Sequence, residues 1–204
     1  MTSRARWVFL GDSVTDSGRT TGGAPAGDGY VSRIAESAGV RGVDAEVVNR
    51  GINGDQAADV LARVDADCLD LAPDLVSVMV GVNDTWRRYD SDAPVSIEAF
   101  AEAFNGLLER LNGVSRLVVM TPFILPVLSG QPSWLRDDLR PKIEVELEAA
   151  RRSGAVVIDT QAALEQSALA PVDLAFDGVH PTAAGFDVLA EIWIAGVLDG
   201  RADL

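Results

Sequence analysis

Lysine, histidine and cysteine each occur once, as Lys142, His180 and Cys68, and each scarcity removes a class of function. One cysteine allows no intrachain disulfide, and one histidine with one cysteine cannot supply a typical zinc site. Cys68 reads as a small buried hydrophobe on a helix. The lone lysine lies outside any glycine-rich turn, which excludes a Walker loop. No Gly-x-Gly-x-x-Gly follows a strand, and no Gly-x-Ser-x-Gly elbow occurs. The other 16 basic residues are arginines scattered without a basic run, against 31 acidic residues, for a formal charge of −14. Such a surface repels phosphate backbones and anionic lipid, so neither nucleic acid nor a membrane is an expected partner. Long apolar runs are also missing. Residues 7–10 are too few for a signal-peptide core, and 186–198 are broken by Asp187 and Glu191. A cytoplasmic location is expected.

What remains is an ordinary globular composition, 48% apolar and only 6% aromatic. Its length suits one domain over residues 1–204. Short apolar runs without strict polar alternation predict strands at 7–10, 45–49, 75–80, 117–120 and 155–158, each covered on both faces. Helical patterns fall between them at 30–38, 56–68, 97–111 and 137–152, and a last helix spans 182–198. In that helix Phe186, Leu189, Ala190, Trp193 and Val197 share one face. Strands alternating with helices imply right-handed crossovers, hence a parallel five-stranded sheet in a three-layer α/β/α fold. Ligands of such sheets bind beyond the carboxyl ends of the strands.

The polar clusters lie at those ends. The first strand runs into Gly11-Asp12-Ser13, the second into Asn49-Arg50-Gly51-Ile52-Asn53-Gly54, and the third into Gly81-Val82-Asn83-Asp84. Asp177-Gly178-Val179-His180-Pro181 precedes the final helix. If imidazole activates a serine here, only His180 can do it. A turn can carry Asp177 to its Nδ1, fixing the tautomer and stabilising the imidazolium. Ser13 is then the nucleophile, and the N–H groups of Ser13 and Gly51 with the amide of Asn83 form an oxyanion hole. A glycine at 51 leaves its amide unshielded. Singly, each piece has a plainer reading: a helix cap, a turn glycine, a self-bonded asparagine, a structural histidine. Their joint placement favours chemistry.

These blocks, in this order from residue 11 to residue 181, resemble the SGNH or GDSL esterase/lipase superfamily. The resemblance implies a flavodoxin-like sheet, no cofactor, no metal and a small-molecule ester as partner. It implies Ser13, Gly51, Asn83 and His180 as the name-giving residues, with Asp177 completing a triad. Asp12, Trp86, Arg87, Phe123 and Val179 are candidate pocket residues, although Arg87 and Arg88 could equally pair with Asp90 and Asp92. Residues 16–29 are either a mobile rim or a plain connector. The segments around the site resemble those of bacterial esterases, several of which deacetylate sugars, so short-acyl esters of sugars or small alcohols are the expected substrates. A lysophospholipase or thioesterase is the alternative within the class. A non-catalytic carbohydrate- or lipid-binding domain is the rival outside it, and a retired enzyme would be expected to have lost one of these residues.

Overall fold

The computed structural model describes residues 4–114 and 116–200; the ends of the expected 1–204 domain lie outside them. In chain order the elements are β1 (Ala5–Gly11), α1 (Ser13–Asp16), α2 (Tyr30–Val40), β2 (Ala45–Gly51) and α3 (Ala57–Asp67). Next come β3 (Leu75–Met79), α4 (Val82–Asp90), α5 (Ile97–Arg110), β4 (Arg116–Met120) and α6 (Gln131–Trp134). The chain closes with α7 (Arg140–Ser153), β5 (Val156–Ile158), α8 (Thr160–Glu165), α9 (Pro171–Leu174) and α10 (Ala183–Val197). All strand pairs are parallel, in the order β2-β1-β3-β4-β5. This is the expected α/β fold. The strand order reverses at β1, so a crevice opens where β1 and β3 end.

The two-residue period of β1 divides the core. Trp7 and Phe9 face one helical layer, with Tyr30, Ile34, Leu189 and Trp193. Val8 and Leu10 face the other, with Val60, Val64, Phe100, Phe104 and Leu107. Alternate side chains of a strand point to opposite faces, so a strand covered on both sides is apolar throughout. Cys68 is buried as expected, and burial pushes its thiol up to about 12. No helix among the described residues is long and apolar enough to cross a membrane.

The departures from the expected boundaries have local causes. β1 reaches two residues further back because Arg6 reaches Glu46 on β2 at 2.8 Å, so a charged residue is accommodated at the sheet end. The 137–152 helix is instead led in by a wide π turn, Leu135–Leu139. Pro141 has no N–H and crowds the preceding turn, which a wider turn relieves. Val82, Asn83 and Asp84, read as a loop, form the first turn of α4.

Lys142 on α7 is fully buried. Its ammonium donates to the Asp84 carbonyl at 3.1 Å, the Thr85 hydroxyl at 3.2 Å and the Asp138 carboxylate at 2.8 Å, tying α7 to α4. Removing one partner of a buried pair leaves the other uncompensated. Lys142→Met is therefore expected to lose about 3–5 kcal/mol in urea unfolding; an unchanged midpoint would refute the tie.

Candidate active site

β1 ends at Gly11, and the chain turns at once into α1. Asp12 caps that turn, its Oδ1 accepting the Val14 N–H at 3.0 Å. Ser13 is thus the first residue of a helix, where no preceding turn supplies a carbonyl for its N–H. Beside it β2 ends at Gly51. A Cβ there would collide with the backbone of Thr15 and Asp16. Close approach of two backbones, rather than an open amide alone, is what requires glycine at 51.

The Asp177–His180 turn is held from several sides. Asp177 Oδ1 accepts the N–H groups of Val179 at 3.0 Å and His180 at 2.8 Å, and Oδ2 lies 2.7 Å from His180 Nδ1. Gly178 has φ 87 and packs against Gln131 and the Leu125 carbonyl, both reasons for glycine. The Leu125 N–H donates to the Gly178 carbonyl at 2.8 Å, and the Gln131 amide donates to the Asp177 carbonyl at 2.5 Å. Burial opposes ionisation of Asp177, yet those N–H donors and the imidazole together hold its carboxyl below the usual range. An ionised carboxylate only accepts, so Nδ1 carries a proton, and in the neutral imidazole the Nε2 lone pair is the free one. Nε2 lies 3.2 Å from Ser13 Oγ.

Asn83 stands at the third corner. Its amide donates to the Asp55 carbonyl at 3.0 Å, using one of its two hydrogens. The Gly51 N–H donates to Asn49 Oδ1 at 2.8 Å, so the donor expected to be open is engaged. Asn49 also donates to the carbonyls of Thr15 at 2.6 Å and Ala26 at 2.9 Å.

The expected pocket residues divide. Asp12, Phe123 and Val179 are buried, and Val179 packs with Val82, Ile124 and Leu139. Trp86 is half-buried, 6.0 Å from the His180 ring, and continues into Trp134. Arg87 pairs with Asp90 as anticipated, but Arg88 pairs with Asp138 rather than Asp92. Residues 16–29 are fastened: Asp16 binds the N–H and hydroxyl of Thr20 at 3.0 Å each, and Arg19 donates to the Gly51 carbonyl at 2.5 Å. Those bonds favour the connector reading. Asn49, Asp55 and Gln131 were not singled out from sequence. Only Asn49 carried a signal, standing two residues before Gly51 in the same block.

Residues 9–188 match the GDSL-like lipase/acylhydrolase family. The chain belongs to that family. An acetylxylan esterase of Geobacillus stearothermophilus is 33% identical to this GDSL chain over 206 residues, covering 94% of this chain and 93% of the other. A mutant of an acetyl-xylooligosaccharide esterase from the same bacterium superposes with a TM-score of 0.84 at 30% identity, covering 95% and 94% of the two chains. An α/β hydrolase enzyme from the metagenome of Lake Arreo, Spain, gives 0.85 at 28% identity, covering 96% and 95%. Three structures of the Geobacillus acetylxylan esterase are catalytic mutants in which a serine, a histidine and an aspartate are each replaced by alanine. The present GDSL chain is a carboxylic ester hydrolase.

Under the site lies a second set of acids. Burial raises Asp12 and Asp84 to about 7, each against opposing hydrogen bonds from backbone N–H groups. Burial, with Asp84 and Asp12 nearby, raises Glu146 well above its usual range, and neither of its carboxylate oxygens has a partner. In the unfolded chain these aspartates titrate near 3.8. Between that value and about 7 the folded state keeps protons that the unfolded state releases, so stability falls as pH rises through this window. The melting temperature is expected to drop between about pH 5 and pH 7 and to keep falling above it while Glu146 holds its proton, and Asp84→Asn to flatten the slope. A melting temperature that rose across this window would contradict the assignment.

Proposed function

We propose that this hydrolase removes acetyl groups from sugars, with Ser13 as nucleophile, His180 as general base and acid, and Asp177 as the group orienting it. The observation that carries the reading is the continuous line from Asp177 Oδ2 through His180 to Ser13 Oγ, with contacts of 2.7 and 3.2 Å. Ser13 Oγ attacks the ester carbonyl as its proton passes to His180 Nε2. The oxyanion is met by the Ser13 N–H, the second hydrogen of the Asn83 amide, and the Gly51 N–H, which keeps Asn49 Oδ1 and shares its hydrogen with the developing charge. The tetrahedral intermediate collapses, and the departing alcohol oxygen takes the proton from Nε2. Water then enters, loses a proton to the same nitrogen and cleaves the acetyl-serine, returning the proton to Ser13 and releasing acetate.

Likeness supports a short acyl group on a sugar: the relative that is a third identical over nearly the whole chain is an acetylxylan esterase.

Ser13→Ala is expected to abolish ester hydrolysis without altering the circular dichroism. His180→Ala should cost several orders of magnitude in kcat, since no other imidazole exists to replace it. In the unsubstituted enzyme kcat/KM should climb with pH to a plateau, since only a neutral imidazole can take the serine proton. A well-folded Ser13→Ala protein with ordinary turnover would end the mechanism. For acyl preference, kcat/KM should fall from acetyl through butyryl to octanoyl esters of one alcohol, and acetylated xylobiose should be deacetylated. Each methylene that found a groove would instead add about 0.8 kcal/mol, so a steady rise towards octanoyl would refute the short-acyl reading.

A further inference from the structure

Phe176 stands immediately before Asp177 and is 61% exposed, far more than a large aromatic ring in a packed fold usually is. Its backbone is held in place. Ala175 and Pro181 pair as an antiparallel bridge, and the Phe176 N–H donates to the His180 carbonyl at 3.2 Å. Its ring lies nearly parallel to the His180 imidazole, at 21° with centroids 6.0 Å apart. Trp86 also meets this imidazole edge-on, with centroids 6.0 Å apart, backed by Trp134. One aromatic is thus built into the wall, and the other is presented to solvent beside the proton-carrying group.

From this placement we propose that Phe176 is a specificity-determining residue, a flat platform on which the sugar ring of the leaving alcohol stacks. The proposal rests on the carbohydrate reading above. The leaving oxygen must come within hydrogen-bond reach of His180 Nε2 to collect its proton. A ring bonded directly to that oxygen then falls within reach of the neighbouring Phe176 face. A pyranose presents a patch of polarised C–H groups on each face, and the electron-rich face of an aromatic ring attracts them while excluding water. An alcohol without a ring gains little from the same surface. Selectivity for sugar esters then comes from the alcohol side of the site, independently of the acyl side.

The test compares Phe176→Ala and Phe176→Trp with the unsubstituted enzyme on acetylated xylobiose, ethyl acetate and ethyl octanoate, with the solution mass of each protein measured. For Phe176→Ala, kcat/KM on acetylated xylobiose should fall about fivefold to tenfold more than on ethyl acetate, most of it in KM, as for one aromatic contact. Phe176→Trp should restore it. Equal losses on both acetates would place the ring in support of His180 and overturn the platform. A loss confined to ethyl octanoate would assign the ring to the acyl chain, and a changed solution mass would assign it to a subunit contact; either overturns it. No differential loss on the sugar would do the same. Unsubstituted enzyme that cleaves ethyl acetate but not acetylated xylobiose would instead fail the carbohydrate reading itself.

Discussion

A primary amide offers two donated hydrogens and an accepting oxygen, and at the end of β2 Asn49 commits all of these to backbone groups of three segments. It holds the Thr15 carbonyl of the Ser13 turn, the Ala26 carbonyl of the following connector and the N–H of Gly51. Asn49 is almost wholly buried. A polar group so placed is costly unless every bond is made, and that cost makes the arrangement specific. The close approach of Gly51 to α1 and the direction of the Gly51 N–H both depend on it. Ser13 therefore sits on a turn to which the Gly51 loop is fixed by a buried side chain.

The carboxylates around this edge follow opposite electrostatic logic although three of them are the same residue type. Asp177 is half-buried but receives N–H donors from its own turn and from the imidazole, which favour its charge. Asp12 and Asp84 are buried near one another and near Glu146, and each is driven towards its neutral form. The acid that touches His180 is thus favoured as a charge, while the acids beneath Ser13 are pushed towards their neutral forms. Donor count decides which acid ionises, and burial decides which does not.

Strands, layers and the corners of the site were legible because they rest on local rules. Unbroken apolar runs marked a sheet covered on both sides, and Gly-Asp-Ser, Asn-Arg-Gly and Gly-Val-Asn-Asp marked the strand ends where such a sheet binds ligands. Asp-x-x-His before a helix was legible because a turn closes over that spacing. Gln131 was not, because its bonds to the Asp177 turn cross 46 residues of chain and no local pattern records them. The first turn of α4 was missed for the opposite reason. Gly81 and Asn83 look like turn residues, and tertiary contacts from Lys142 and Ala57 turn Asp84 and Thr85 into a helix start. The aromatic residue before Asp177 gave no sign of its exposure, since a phenylalanine in a sequence reads as core.

Confining the chain's only ammonium side chain to the interior has a chemical consequence. Lys142 is sealed between α4 and α7, so every positive side chain reaching solvent is a guanidinium, which acylating reagents leave largely alone. The folded enzyme can therefore sit among activated acyl donors without offering an ε-amine to intercept them. Acylation of Lys142 would mark molecules that had opened at the α4–α7 contact, making the residue an internal recorder of unfolding in a protein whose task is to handle acyl groups.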